Sequence, residues 1–261
     1  MRGFVTIFWV FIVYQFSMLM FHNWQDGGRL MPWTIARVFF GDIRGFVLIE
    51  AVLIAISYLG LAIQSLVCWA ERRSIRWLTP AGPVYWLLRM ALEISLIFMP
   101  MFVTIERGWH AIQRGSYLLH SLAMSMKVHS YLSINTFLTD RSNVTFANYT
   151  TFLLAPTLIY SPRFPRTDRI RLWFIVEKVS GMLVSGVMLY LTVENYVYPI
   201  ISHELETNHP MTLLEVLIRL FPALLATTLL MFILTFECIL NILAELSCFA
   251  DRHFYSDWWN R

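Results

Sequence analysis

The sequence has few charged residues, and this shortage excludes an ordinary soluble domain. Only 14% of the 261 residues are Asp, Glu, Lys or Arg, whereas 57% are apolar, and the mean hydropathy is +0.59. Soluble globular domains carry about 25% charged residues, so the composition indicates an integral membrane protein. The net charge is only +3, and the sequence contains no long run of like charges. It therefore gives no basis for nucleic-acid binding.

Cysteine pairs and common catalytic motifs are also missing. Cys68, Cys238 and Cys248 lie far apart in apolar sequence, which fits neither a disulfide framework nor a CxxC metal site. His203 and His209 lack the spacing of a metal-binding pair, so we predict no metal site. The sequence contains no GxSxG, GxxxxGK[ST] or HExxH motif, so the common hydrolase, P-loop and zincin chemistries are not indicated.

Long apolar runs are abundant, and they predict the fold class. A helix needs about 20 apolar residues to cross hydrocarbon about 30 Å thick. Six runs meet or approach this length, so we predict an all-α, polytopic membrane helical bundle that forms one domain over residues 1–261. The predicted spans are residues 3–21, 45–69, 83–105, 109–134, 172–200 and 213–246, of which the fourth is the most polar.

The positions of the arginines predict the orientation in the membrane. Short cytosolic loops are enriched in Lys and Arg. If the N-terminus is cytosolic, most arginines lie on the cytosolic side, in the segments 70–82, 135–171 and 247–261. The N-terminus and the Arg261 end are therefore both predicted to be cytosolic. The sequons at Asn143 and Asn148 then lie in the cytosol, and we predict that neither is glycosylated.

Ionisable residues inside the predicted spans are candidate functional residues, because a charge at the bilayer centre costs about 2.5–3.5 kcal/mol on insertion scales. Glu237, Asn241 and Glu245 are spaced by four residues and share one face of the sixth span. They form either a polar stripe that packs against a neighbouring helix or the wall of a polar passage. Arg89 and Glu93 have the spacing of an ion pair within one helix.

Three stretches of sequence resemble a known family. They are MKVHSY at 126–131, APTLIYSPRFPRTDRIR at 155–171 and FADRHFYSDWWN at 249–260. In order and spacing they resemble the sterol O-acyltransferase branch of the membrane-bound O-acyltransferase family, in particular fungal sterol-ester synthases, over residues 117–261. The FYxDWWN heptapeptide is shared with diacylglycerol O-acyltransferases, whereas His129 favours the sterol branch. Ala250 replaces a glycine of the family pattern.

The resemblance implies an activity and a set of site residues. The family transfers a long-chain acyl group from coenzyme A to the 3-hydroxyl of a sterol in the endoplasmic reticulum membrane; acyl-CoA is a substrate and no cofactor is needed. We expect a homo-oligomer. The resemblance implies that the Asn260 amide donates to the thioester carbonyl as charge develops. The predicted acyl-CoA-binding residues are Phe254, Tyr255, Asp257, Trp258 and Trp259, and the candidate tunnel-lining residues are His129, Glu237, Asn241 and Glu245.

The resemblance also predicts an incomplete enzyme. The family's general base is a histidine on a later helix, and none of the seven histidines of this sequence occupies that position. We therefore expect that this chain alone does not esterify sterols. Two alternatives stay open: a diacylglycerol O-acyltransferase-type enzyme, and a non-catalytic membrane partner of a full-length acyltransferase. A channel or transporter is disfavoured because the polar residues cluster toward one face.

Overall fold

A computed structural model describes residues 2–206 and 211–252, without the side chains at 2–9, 11, 38, 39, 205 and 206. Within these ranges the ordered elements are helical, which confirms the all-α prediction. No β-strand occurs in the described ranges, where β-pairing is limited to one isolated antiparallel bridge between Arg166 and Phe249.

Most of the described helices follow one another with short connections, and the longest described connection, residues 155–171, joins α7 to α8. Two π-helical segments, Val193–Val197 and Ile233–Ile239, join α8 to α9 and α10 to α11, and a 3-10 turn covers Arg76–Leu78. In chain order the α-helices are α1 (Arg2–Gly27), α2 (Thr34–Phe40), α3 (Ile43–Ser57), α4 (Leu59–Arg72), α5 (Pro83–Glu106), α6 (Ala111–Phe137), α7 (Phe146–Leu154), α8 (Leu172–Thr192), α9 (Tyr198–Glu206), α10 (Leu213–Phe232) and α11 (Leu240–Leu246).

Four helical stretches of the described chain are long and apolar enough to cross a membrane. They are Ile43–Arg72, Arg76–Glu106, Leu172–Glu204 and Leu213–Leu246, and they correspond to the second, third, fifth and sixth predicted spans. The prediction of six spans is not confirmed. The first predicted span lies within α1, and the fourth begins two residues before α6 and otherwise lies in it; neither helix is among these four.

The packing of α6 explains how the segment predicted as the fourth span accommodates its polar residues. It packs against α3, α4 and α5, and its residues Tyr117, Val128 and Leu132 are fully buried. Because neighbouring helices cover much of α6, it can carry polar residues that lipid would not tolerate. Gln113 and Ser125 are buried on it. The polar residues that lower its hydropathy therefore indicate a helix packed among other helices.

The described residues form two compact units. The helix-pair unit comprises residues 2–38, 171–206 and 211–242, and the motif unit comprises residues 39–170 and 243–252. The motif unit contains the first two of the three family-like stretches and the start of the third. Its core is rich in aromatic side chains, most of them from α6, α7 and the segment after α7.

Local sequence signals set the ends of the helices in the motif unit. Pro83 opens α5, where its missing N–H has no cost, and Gly108 follows the end of α5 with φ +60°, a left-handed conformation that favours glycine. The hydroxyl of Thr145 accepts a hydrogen bond from the Asn148 N–H at 3.2 Å and caps the start of α7. With only nine residues, α7 needs tertiary contacts to be stable.

Candidate functional site

Lys127, in the MKVHSY stretch, holds the end of α7. Its Nζ donates hydrogen bonds to the backbone carbonyls of Phe152 at 3.0 Å, Leu153 at 2.8 Å and Ala155 at 2.5 Å. The last carbonyls of a helix lack partners within the helix, and a cation is favourable at this end of the helix dipole. The side chain is buried, with 7% of the residue exposed. Lys127 therefore fixes the point where the chain enters the APTLIYSPRFPRTDRIR stretch.

Two further residues of MKVHSY contact the second stretch. The Ser130 hydroxyl accepts a hydrogen bond from the Tyr160 N–H at 2.8 Å. The ring of Tyr131 packs against Tyr149 and Tyr160, with ring centroids 4.5 and 4.8 Å apart. All three tyrosines are buried, and burial raises the pKa of Tyr149 and of Tyr160. Both phenols therefore stay neutral at physiological pH and can donate hydrogen bonds.

The second stretch is paired with the start of the third. The Thr167 N–H donates to the Cys248 carbonyl at 2.9 Å, and the Ala250 N–H donates to the Pro165 carbonyl at 2.9 Å. These two bonds flank the isolated antiparallel bridge. Ala250 is exposed, and the positive φ at this turn belongs to Cys248, at +53°. Alanine in place of the family's glycine therefore fits here without backbone strain.

Aromatic rings and one ion pair reinforce this junction. Phe164 stacks on Phe152 with centroids 6.1 Å apart and contacts Phe249 at 5.7 Å. The fully buried carboxylate of Glu245 accepts from the Arg252 guanidinium at 2.5 Å. The Arg252 Nε also donates to the Phe249 carbonyl at 3.2 Å. The FADR sequence is thus held from both sides, and it leads directly into residues 253–261.

A cleft of about 590 Å³ opens beside this junction. Two arginines line it, and guanidinium groups bind phosphates and carboxylates through charge-assisted, often paired, hydrogen bonds. Hydroxyl and amide side chains supply further polar contacts, and an accessible thiol is present. The residues that carry these groups are Arg163, Arg166, Asn148, Thr151, Ser247 and Cys248.

The predicted catalytic and acyl-CoA-binding residues lie outside the described part of the chain. These are Asn260 and the residues Phe254, Tyr255, Asp257, Trp258 and Trp259. Their roles remain predictions. The described structure ends at Arg252, whose contacts hold the chain just before them.

The three polar residues of the sixth predicted span make three different sets of contacts. Glu237 lies in the π-helical segment Ile233–Ile239 and accepts from Lys178 Nζ at 2.6 Å. The Asn241 amide donates to the carbonyls of Phe236 at 2.9 Å and Glu237 at 3.2 Å, within the helix-pair unit. Glu245 belongs to the motif unit and binds Arg252. Whether these residues line a passage remains a prediction.

His129 lies in a charged cluster on α5 and α6. The predicted Arg89–Glu93 ion pair is confirmed, with Nε 2.8 Å from Oε1. His129 Nδ1 lies 3.1 Å from the same carboxylate oxygen, and Arg89 donates to the Ser133 hydroxyl at 2.5 Å. Glu93 and His129 line a cavity of about 380 Å³ that is walled mainly by apolar residues such as Ile97. A substrate-lining role of His129 stays a prediction.

The sequence alone did not assign a role to Lys127, Arg163 or Arg166. Lys127 has helical spacing with the other buried residues of α6, but no sequence signal indicates that it binds three carbonyls. The arginines of the second stretch have the local density typical of a phosphate site and equally of a cytosolic loop. Only the tertiary structure places both arginines at one cleft.

Comparison with known proteins adds named relatives. No protein-family model matches the chain. Diacylglycerol O-acyltransferase 1-2 of Oryza sativa subsp. japonica is 41% identical over 119 residues, which are 44% of this chain and 25% of that protein. Diacylglycerol O-acyltransferase 1B of Glycine max is 32% identical over 203 residues, 68% of this chain and 40% of that protein. Probable sterol O-acyltransferase 2 of Schizosaccharomyces pombe is 24% identical over 314 residues, 99% of this chain and 63% of that protein.

The chain thus spans less than two thirds of the length of these relatives. All of them are named O-acyltransferases, so the resemblance to an acyltransferase is confirmed. The relatives include both sterol and diacylglycerol O-acyltransferases, and the similarity alone does not distinguish between these two substrates.

Proposed function

We propose that this chain carries the acyl-CoA-binding part of an O-acyltransferase that esterifies sterols in the endoplasmic reticulum membrane. One observation carries the proposal: the second family-like stretch is hydrogen-bonded to the start of the third, beside a cleft lined by arginines. This arrangement holds the chain that leads into FYSDWWN next to a site suited to phosphates. An acyl-CoA carries a reactive thioester and phosphates in one molecule, so its binding requires the FYSDWWN segment and a phosphate site close together.

The cleft suits the charged end of the donor. In this proposal Arg163 and Arg166, which both line the cleft, bind phosphate groups of coenzyme A. The rings of Phe254, Tyr255, Trp258 and Trp259 and the carboxylate of Asp257 then hold the acyl-CoA nearer its thioester. These contacts place a cytosolic donor at the surface of a membrane-embedded protein.

The reaction itself is an acyl transfer from sulfur to oxygen. The sterol hydroxyl oxygen bonds to the thioester carbonyl carbon, its proton passes to a general base, and the carbon–sulfur bond breaks to release the coenzyme A thiol. Negative charge develops on the carbonyl oxygen. The proposed role of Asn260 is to donate its side-chain N–H to that oxygen.

A sterol is the acceptor that we favour. Two yeast sterol O-acyltransferases, of Schizosaccharomyces pombe and Candida albicans, align over 99% of this chain, whereas the rice and soybean diacylglycerol enzymes align over 44% and 68%. His129 in MKVHSY supports the same branch. Diacylglycerol is the second candidate, because the higher identities, 41% and 32%, are to diacylglycerol enzymes.

Cys248 offers a direct test of acyl-CoA binding that does not require turnover. This thiol lines the cleft, so an occupant should slow its alkylation. We expect palmitoyl-CoA and S-methyl coenzyme A, neither of which has a free thiol to consume the reagent, to protect Cys248 from a maleimide in membranes that contain the full chain with Cys68→Ala and Cys238→Ala. S-palmitoyl-pantetheine should protect far less, because it lacks the phosphates of coenzyme A.

The other two cysteines provide matched controls. Cys68 lines a different cleft of the motif unit, so a single-cysteine variant that keeps it should show no protection. Cys238 is 3% exposed, so a variant that keeps only this thiol should react little with or without ligand. Equal protection of Cys68 and Cys248, or none at Cys248, would contradict acyl-CoA binding at this cleft.

The acceptor is tested separately with photoreactive lipids. We expect a photoreactive sterol to label the chain in microsomes, and excess unlabelled sterol to compete while diacylglycerol does not. Labelling by a photoreactive diacylglycerol that only diacylglycerol displaces would favour the second candidate.

A further inference from the structure

A second cleft of the motif unit lies at the end of a membrane-spanning stretch. Its volume is about 420 Å³, and it includes Arg72, the last residue of the candidate span Ile43–Arg72. Trp69 lines the same cleft and is 47% exposed. Trp and Arg at the end of a span are typical of the membrane–water interface. The cleft therefore lies at the depth of lipid headgroups.

The cleft contains fixed charges of both signs. Arg72 and Arg141 supply positive charge; Arg141 is also paired with Glu71 at 2.9 Å. Asp140 supplies negative charge. Both of its carboxylate oxygens accept hydrogen bonds from Ser142, one from the backbone N–H and one from the hydroxyl, each at 2.9 Å. The backbone bond, followed by the hydroxyl bond, lowers the pKa of Asp140, so the carboxylate is charged at neutral pH.

This pairing of charges selects the kind of occupant. An anionic group that fills the whole cleft meets the Asp140 carboxylate, and a cationic group meets two guanidinium groups. A zwitterion satisfies both, with a phosphate near the arginines and an ammonium near Asp140. Carboxylates accept hydrogen bonds from a primary ammonium, whereas a quaternary ammonium has no N–H to donate. The ethanolamine headgroup therefore fits better than the choline headgroup.

The neighbouring surface fits the rest of such a lipid. On α4, Leu59 and Leu66 are 51% and 36% exposed, and they lie on the same span as the cleft. Acyl chains can follow this apolar surface while the headgroup stays at the interface. We propose that this cleft binds phosphatidylethanolamine, with the phosphate at Arg72 and the ammonium at Asp140. The site is separate from the acyl-CoA cleft and does not depend on the proposed function.

Native mass spectrometry of the full chain, released from nanodiscs with equal amounts of phosphatidylethanolamine, phosphatidylcholine and phosphatidylglycerol, tests the proposal. We expect phosphatidylethanolamine to be retained several-fold over the other two. Arg72→Gln should lower its retention about 10-fold, the loss expected for one charge-assisted hydrogen bond. Asp140→Asn, whose side-chain oxygen can still accept from Ser142, should abolish the preference over phosphatidylcholine.

A matched control is Arg76→Gln, because Arg76 is an exposed arginine of the next turn that does not line the cleft. It should keep wild-type retention. The lipid preference is measured on the wild-type chain, so this part of the test does not depend on whether a variant folds. Equal retention of the three lipids, a preference for phosphatidylglycerol, or displacement of the lipid by inorganic phosphate would overturn it.

Discussion

The two units of this protein bury their membrane-spanning helices to different extents. In the motif unit, 28% of the most apolar window of each candidate span is buried, against 11% for each span of the helix-pair unit. Large side chains of α10, such as Leu213 and Phe221, are 76% and 67% exposed. The motif unit therefore has a core of its own, whereas the helices of the helix-pair unit present most of their apolar surface outward.

The same contrast appears in how each unit treats a lysine. Lys127 is buried in the motif unit and binds three backbone carbonyls. Lys178, in the helix-pair unit, pairs with Glu237, whose side chain is 47% exposed. If Lys178 is lost, the Glu237 carboxylate can take up a proton and become neutral, whereas the buried carbonyls around Lys127 keep their need for a donor. The charged Lys127 side chain therefore stabilises the fold of the motif unit.

The largest effect is expected from removal of the buried lysine. Lys127→Met should destabilise the protein by about 4 kcal/mol, because three buried carbonyls lose their donor at ~1–3 kcal/mol each. Lys178→Met, the matched change in the helix-pair unit, should cost clearly less, because only one acceptor, the Glu237 carboxylate, loses its donor, and that carboxylate can become neutral by taking up a proton. Thermal unfolding in detergent, followed by size-exclusion chromatography, measures both. Equal shifts for the two variants would break the comparison.

The next effect concerns the ring that joins the second and third stretches. Phe249 is 7% exposed and contacts Phe164, so Phe249→Ala should cost about 3 kcal/mol and speed the alkylation of Cys248. Phe98 on α5 is 61% exposed, and Phe98→Ala serves as the control with little change in either measurement. An unchanged Cys248 rate in Phe249→Ala would argue against the aromatic junction.

A smaller effect is expected on ligand binding. The double variant Arg163→Gln, Arg166→Gln should raise the palmitoyl-CoA concentration that protects Cys248 by about 10-fold or more, since each charge-assisted contact is worth at least about 1.5 kcal/mol. Arg219→Gln removes an exposed arginine of α10 that pairs with Glu215 and should leave protection unchanged. If both variants behave alike, the arginines do not bind the phosphates.

No effect at all is expected from endoglycosidase treatment. The Asn143 amide donates to the Asn135 side-chain oxygen at 2.8 Å and to the Tyr160 hydroxyl at 2.7 Å. The Tyr160 hydroxyl in turn donates to the side-chain oxygen of Asn148 at 2.7 Å. The side chains of both sequon asparagines are thus hydrogen-bonded within the motif unit. A mobility shift of the expressed chain on treatment would contradict this use and the predicted topology.

Sequence was sufficient for features that depend on local pattern. Apolar run length predicted four of the spans, and residue spacing predicted the Arg89–Glu93 pair. The fourth span, largely in α6, is not confirmed, and hydropathy does not distinguish a lipid-facing helix from one packed among other helices. The junction of Thr167 with Cys248 joins residues far apart in sequence, and no periodicity specifies such a pairing. The contacts of Lys127 were missed for the same reason.

The most direct test of the account is a crosslink across that junction. Thr167 and Cys248 are neighbours across an antiparallel pair, where Cα atoms lie close enough for a disulfide. In full chain that carries Cys68→Ala and Cys238→Ala, we predict that Thr167→Cys forms an intramolecular disulfide with Cys248 on mild oxidation, detected as a linked peptide by mass spectrometry. Ile170→Cys, three residues further along, should not. Absence of the Thr167→Cys link, or equal yield from both positions, would contradict the claim that the second stretch holds the start of the third.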